Sequence, residues 1–188
     1  VSYLDFSDWR AQSKSFSSMD IVGVDEATLI IEGEPARVHG ALVSARMFKT
    51  LGIQPVLGRA FEPAEELSPS TEGMHPIMLT WSTWQTRFAG DPGVIGRKVV
   101  VDDRDLQIIG VTPKGFFPLE KEPIDYWVTV AGNGDPGKAD TANASRGYRA
   151  YAGVVARLAP GVSLAQARVE LDFINQNIRA KNPGSDQK

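Results

Sequence analysis

The side chains that could do chemistry are few and scattered. The chain carries two histidines, His39 and His75, and no cysteine. A metal site needs three or four converging ligands. His39 lies in an apolar strand pattern and His75 stands beside Pro76, so structural or solvated roles fit them better. The lack of cysteine removes disulfides, thiolate ligands and a cysteine nucleophile. Asp102, Asp103 and Asp105 are spaced like the opening of a calcium loop. Such a loop needs glycine at its sixth position and glutamate at its twelfth, and here those places hold Gln107 and Pro113. A charged hairpin turn is the better reading. Glu62, Glu65 and Glu66 could supply an acid and a base, but no apolar pocket to raise one pKa is evident nearby. Carboxylates at the positive end of a helix account for them.

Gly132-Asn133-Gly134-Asp135-Pro136-Gly137 matches a dinucleotide-binding pattern and follows a strand. The pattern works only if a helix opens at the last glycine to meet the pyrophosphate. Residues 138–145 have no apolar face and Pro136 interrupts the turn, so a mobile surface loop over 132–147 is expected. No G-x-S-x-G elbow occurs, and neither histidine has a triad context. Trp9, Trp81, Trp84 and Trp127 belong in the core by type. The sequence thus presents no catalytic, cofactor-binding or metal-binding constellation.

The elements around these residues alternate in kind. Ser2 with Asp5 forms a capping box for a helix from about Tyr3 to Ser13. Ala27–Glu32 and Ala36–Val43 are strand-like, and Gly33-Glu34-Pro35 joins them as a hairpin. Ser44 is placed to cap a short helix ended by Gly52, and Pro63 opens a helical start. Pro76–Thr80 is a short buried strand, and Ser82 caps a helix carrying Trp84 and Phe88, closed by Gly90. Lys98–Val101 and Leu106–Val111 form a second hairpin across an aspartate-rich turn. Strands follow at Ile124–Val130 and Gly153–Leu158. Ser163 and Gln166 make a capping box for the last helix, whose apolar face is Leu164, Ala167, Leu171, Ile174 and Ile178. The fold class is α+β, with mixed sheets, helices and two subdomains. The chain ends are expected to form one unit and the middle to be inserted between them.

Composition bounds the rest. At 188 residues with 42% apolar content the chain can bury a real core. A net charge of −3 gives no footprint for nucleic acid. The longest apolar runs fall far short of the roughly 20 residues that cross a bilayer. Val1–Asp8 lack the basic and apolar regions of a signal peptide. Val1 and Lys188 are expected to be cut points within a longer protein.

One stretch is more specific. Phe48–Phe61, FKTLGIQPVLGRAF, resembles F-x-x-L-G-[IV]-x-P-x-x-G-R-x-F, a signature of the MacB-like periplasmic core domain of ABC-transporter permeases, in the FtsX-like permease superfamily. Four further stretches are similar to the family's motifs and follow its order. They are Ser2–Arg10, Asp91–Arg97, Ile108–Pro113 and Arg157–Ala167. Trp9-Arg10 and Pro160-Gly161 look most like a branch of duplicated permeases typical of acidobacteria, often without a fused ATPase.

The resemblance implies a non-catalytic extracytoplasmic domain, periplasmic in an inner-membrane protein, that links ATP-driven movement of membrane helices to export or other periplasmic work. It implies a porter-like subdomain from residues 1–53 and 146–188 and an inserted α+β subdomain at 54–145. The implied partners are the chain's own transmembrane helices, a second permease copy, a cytoplasmic ABC ATPase and a periplasmic adaptor. No cofactor is implied. In such a domain Gly52, Gly58 and Gly96 would fix the subdomain junction. Arg59 and Arg97 would clamp helix-end carbonyls or a carboxylate across it. The alternative is a soluble periplasmic ligand-binding module for a peptide or lipid, lidded by residues 132–147.

Overall fold

The first helix, α1 (Tyr3–Gln12), starts where Ser2 Oγ accepts the Asp5 N–H at 3.1 Å. Half of the expected capping box is used here, because the Asp5 carboxylate turns outward to Arg146. The computed structural model describes residues 1–31, 33–66, 74–116, 123–130, 146 and 151–183. The expected loop at 132–147 lies outside these except for Arg146.

After α1 come β1 (Phe16–Ile31), β2 (Glu34–Val43), α2 (Met47–Leu51), β3 (Leu57–Gly58) and a 3-10 turn at Pro63–Glu65. Then follow β4 (His75–Leu79), α3 (Trp81–Arg87), a 3-10 turn at Pro92–Val94, β5 (Lys98–Val101) and β6 (Arg104–Val111). The chain ends in β7 (Tyr126–Thr129), β8 (Gly153–Leu158) and α4 (Leu164–Lys181). The α+β reading therefore holds, with both parallel and antiparallel pairs in one sheet.

The strand pairs close on themselves. β1 pairs with β2, β2 with β7, β7 with β4, β4 with β6, β6 with β5, and β5 returns to β1. β1 makes this closure possible by its length of 16 residues. Its second half pairs with β2 on one edge and touches β5 on the other, while its first half holds β8. The pairings β2–β7 and β1–β5 join the N-terminal strands to the middle of the chain, and β8 near the C-terminus pairs with β1.

Alternation along the strands divides the core in two. Leu29, Val38, Leu42, Ile77, Leu79, Ile108 and Val128 point to one side and pack with Tyr3 and Phe6 of α1. Ala41, Val43, Met78, Ile109 and Trp127 point to the other and meet Met47 and Phe48 of α2 and Phe61. A sheet apolar on two faces must be covered on both, and these helices supply the covers.

Three local starts differ from the sequence pattern. α2 opens at Arg46 with no side-chain cap, because Ser44 Oγ instead accepts the Ile21 N–H at 2.8 Å. α3 is capped by Thr80, whose hydroxyl accepts from the Thr83 N–H, and Ser82 lies inside the helix. The second hairpin turns on Asp102-Asp103 alone, both with positive φ, so Arg104 and Asp105 are strand residues. On α4 the capping box of Ser163 and Gln166 forms as expected. Ala167, Ile174 and Ile178 are buried, but Leu164 is 75% exposed.

Candidate functional site: the seam around the first helix

α1 is bonded on several sides to residues far away in the chain. Arg10 Nη1 donates to Glu66 Oε1 at 2.8 Å, and its guanidinium carbon stands 4.7 Å from the centre of the Phe6 ring. Tyr3 Oη donates to the same Glu66 oxygen at 3.4 Å. Burial and the neighbouring Glu66 charge push the Tyr3 hydroxyl above its ordinary pKa. Arg146 reaches two α1 carboxylates, Asp5 at 2.7 Å and Asp8 at 2.5 Å. Trp9 Nε1 donates to Asn175 of α4 at 2.7 Å. Glu170 of α4 accepts the Lys14 and Ser15 N–H groups at 2.9 and 2.8 Å, closing the chain where it leaves α1.

A second knot lies where β1 meets α2. Asp20 is 1% exposed and accepts a hydrogen bond from the Thr50 hydroxyl. Burial pushes its carboxyl above the usual value, against the opposing Thr50 bond. Arg157 of β8 donates through Nε and Nη2 to the Thr50 carbonyl, at 3.0 and 2.6 Å. That carbonyl lies in the last turn of α2, where a cation is favoured.

The residues singled out from the sequence take clear places. Gly52 ends α2 with φ of 72°, and the Gly52 and Ile53 N–H groups return to Lys49 and Phe48. Gly58 also has φ of 72°, and a Cβ there would stand 2.1 Å from the Ile109 carbonyl oxygen. Arg59 N–H donates to Ile109 O at 2.9 Å, and Gly96 N–H to Ile108 O at 2.8 Å. Gly58 and Gly96 thus flank β6 at adjacent residues. The Arg59 guanidinium forms a fork on Glu65, at 2.7 and 3.0 Å, and Arg97 pairs with Asp91. Each carboxylate lies six residues from its arginine, so both pairs are local in the chain. Glu62 caps the 3-10 turn and Glu65 answers it, as charges at a helix start do. His39 Nε2 is 3.9 Å from Glu26 Oε1. His75 is desolvated, and burial and Arg104 hold its pKa below the ordinary value.

Sequence reasoning missed the seam. Trp9-Arg10 and Arg157 stand in the quoted motifs, but their partners are Asn175, Glu66 and Thr50. Those separations carry no local pattern. Spacing alone had no signal for them.

The profile described as MacB-like periplasmic core domain matches residues 3–173. The chain belongs to this family. The periplasmic region of MacB from Actinobacillus actinomycetemcomitans has the same fold, with a TM-score of 0.70 at 13% identity, covering 96% of this chain and 75% of that one. The extracellular domain of the ABC-type transporter YknZ from Gram-positive bacteria gives 0.65 at 14%, covering 95% and 84%. A permease domain from Porphyromonas gingivalis gives 0.61 at 14%, covering 96% and 70%. No curated protein matches the chain. The MacB-like core domain is extracytoplasmic, a part of an ABC-transporter permease, and that class of transporter works through membrane helices and an ATPase. Among the described residues no helix is long and apolar enough to cross a membrane.

Proposed function

We propose that this MacB-like domain is a non-catalytic transmission element. It carries ATP-driven movement of its permease's membrane helices to export or other periplasmic work. The observation that supports this reading is the seam of α1. A lever has to move as one piece, and α1 is fixed to α4, to Glu66 and to Arg146 by bonds spanning 56 to 166 residues of chain. Charged hydrogen bonds between partly buried groups resist shear better than apolar contacts, because each has one good geometry.

In this reading residues 1–53 and 146–188 form the porter-like unit and residues 54–145 the inserted one. Gly52, Gly58, Arg59, Gly96 and Arg97 stiffen the turns between them. The partners are the chain's own membrane helices, a second permease copy, a cytoplasmic ATPase and a periplasmic adaptor. Rigid-body movement about such partners is an established way of carrying a switch over distance.

The test is a pair of spin labels in the intact permease, one at Lys14 beside α1 and one at Lys98 on β5, read with and without ATP. The separation within the domain should stay constant while the separation to a label on a membrane helix changes. An internal change as large as the external one would overturn the reading.

A further inference from the structure

α4 turns Ala167, Ile174 and Ile178 into the domain, and Asn175 and Glu170 tie its flanks to α1 and the chain leaving it. The opposite face is therefore fixed outward, and it is not polar. Val169 is 70% exposed and Phe173 63%, and their four-residue spacing makes them neighbours on one face. Single exposed apolar residues are ordinary. An adjacent pair on an anchored helix is a patch that cannot turn inward. Arg168 and Asp172 edge this patch, and both are exposed. Neither makes an ion pair with any described residue. Their order, cation before anion, is the poorer one for pairing within a helix.

The face is complementary to itself. At about 100° per residue, Arg168 and Asp172 fall on one flank of the Val169–Phe173 stripe and Glu170 on the other. When two copies lie antiparallel across a two-fold axis, each flank meets its own counterpart. An axis crossing α4 at Glu170 sets Arg168 of each copy level with Asp172 of the other. The same axis brings Phe173 of each copy over the gap between Ala165 and Val169 of the other, a large side chain against small ones. A parallel pair would instead set the charged flank against Glu170, whose carboxylate already holds the Lys14 and Ser15 N–H groups.

We propose that the outer face of α4 docks a second copy of this chain, antiparallel, through Val169 and Phe173 and two Arg168–Asp172 bridges. The contact covers about three turns of one helix. It falls below the roughly 1,200 Å² of a stable interface, so free domains pair weakly. Tethering both copies in one transporter strengthens the pairing through effective concentration. The surface gives the second permease copy of the transmission reading its place of contact, and for that role it rests on that reading. Self-association of the chain is measured without transport or ATP, so either reading can fail alone.

Sedimentation equilibrium of the chain from about 10 μM to about 1 mM reads the association. The average mass should rise towards that of a dimer at the upper end, and Phe173→Glu should stay monomeric throughout. Each single charge reversal, Arg168→Asp or Asp172→Arg, acts twice across the axis and should weaken the dimer about fivefold or more. The two reversals together should restore most of the loss, because the bridges re-form with their signs exchanged. All of these side chains are exposed, so the variants keep the core, as thermal melting verifies. A chain that stays monomeric up to about 1 mM would overturn the proposal and leave the face to a different partner. A dimer that survives Phe173→Glu, or a double reversal no tighter than either single one, would overturn it too.

Discussion

Arg146 and Asp5 meet at 2.7 Å although 141 residues of chain separate them. The same guanidinium holds Asp8, so one side chain bridges two carboxylates on successive turns of α1. Its side chain is only 18% exposed, which places these pairs among the less screened in the molecule.

Arg146→Ala should therefore destabilise the domain by about 1–3 kcal/mol, the range for hydrogen bonds to charged groups rather than for open surface pairs. It also leaves Asp5 and Asp8 to repel each other. Urea unfolding of the two proteins gives the difference. Arg146→Lys should recover only part of it, because an ammonium cannot hold both carboxylates in a planar fork. Equal unfolding midpoints for wild type and Arg146→Ala would remove the bridge from the account.

Gly58 and Gly96 both sit at positive φ, but their surroundings differ. A methyl group at Gly58 meets the Ile109 carbonyl, whereas nothing lies within 4 Å of one at Gly96. Gly96→Ala should cost about 1–2 kcal/mol from backbone strain alone. Gly58→Ala must also push β3 off β6, and its loss should exceed that of Gly96→Ala by at least about 1 kcal/mol. Thermal melts decide the order, and the reverse order would contradict the close approach seen between these strands.

The Arg59–Glu65 fork makes a pH prediction. Burial pushes the Glu65 carboxyl up, but the Arg59 hydrogen bonds, the Glu62 N–H and the Arg59 charge outweigh it and hold the group below 4.5. A lowered folded value means the folded state binds fewer protons, so this contribution is present above 4.5 and fades as pH falls through the folded value. Arg59→Ala should lower stability by about 0.5–1 kcal/mol near neutral pH, as its Arg59 side chain is 46% exposed. The gap to wild type should close in acid. Arg97→Ala should lose less, its pair with Asp91 being open on both sides. Unchanged melting in both variants would end the clamp idea.

Asp20 carries the opposite sign. Burial raises its carboxyl above 3.8, and Glu66 adds to this while Thr50, Arg10 and Arg46 oppose it. Its contribution is full below 3.8 and is lost as pH rises through the raised folded value. Asp20→Asn should therefore gain on wild type as pH rises across that window. A difference between the two proteins that does not vary with pH would show that Asp20 titrates as an ordinary carboxylate.

Much of the fold was legible because its signals are local. The box of Ser163 and Gln166, the stop at Gly52 and the strand Gly153–Leu158 each depend on a few adjacent residues. β1 was read only in its second half. Ser17, Ser18 and Asp20 break the apolar alternation there. Those positions are completed by distant groups, Ser17 by carbonyls of β8 and Asp20 by Thr50. Leu164 fits an apolar stripe by spacing, yet it sits on the first turn of α4 and stays exposed. The seam was invisible for the same reason as β1: Arg10, Trp9 and Arg146 have ordinary neighbours in sequence and meaningful ones only in space.

The most direct test of transmission is transport per ATP hydrolysed by the intact permease carrying Arg10→Ala and Arg146→Ala together. The two substitutions remove the Arg10–Glu66 bond and the Arg146 bridge to Asp5 and Asp8, and leave α1 its packing through Tyr3 and Phe6 and its Trp9–Asn175 bond. The account predicts that hydrolysis continues while transport per ATP falls. A folded double variant that transports as much per ATP as wild type would contradict it.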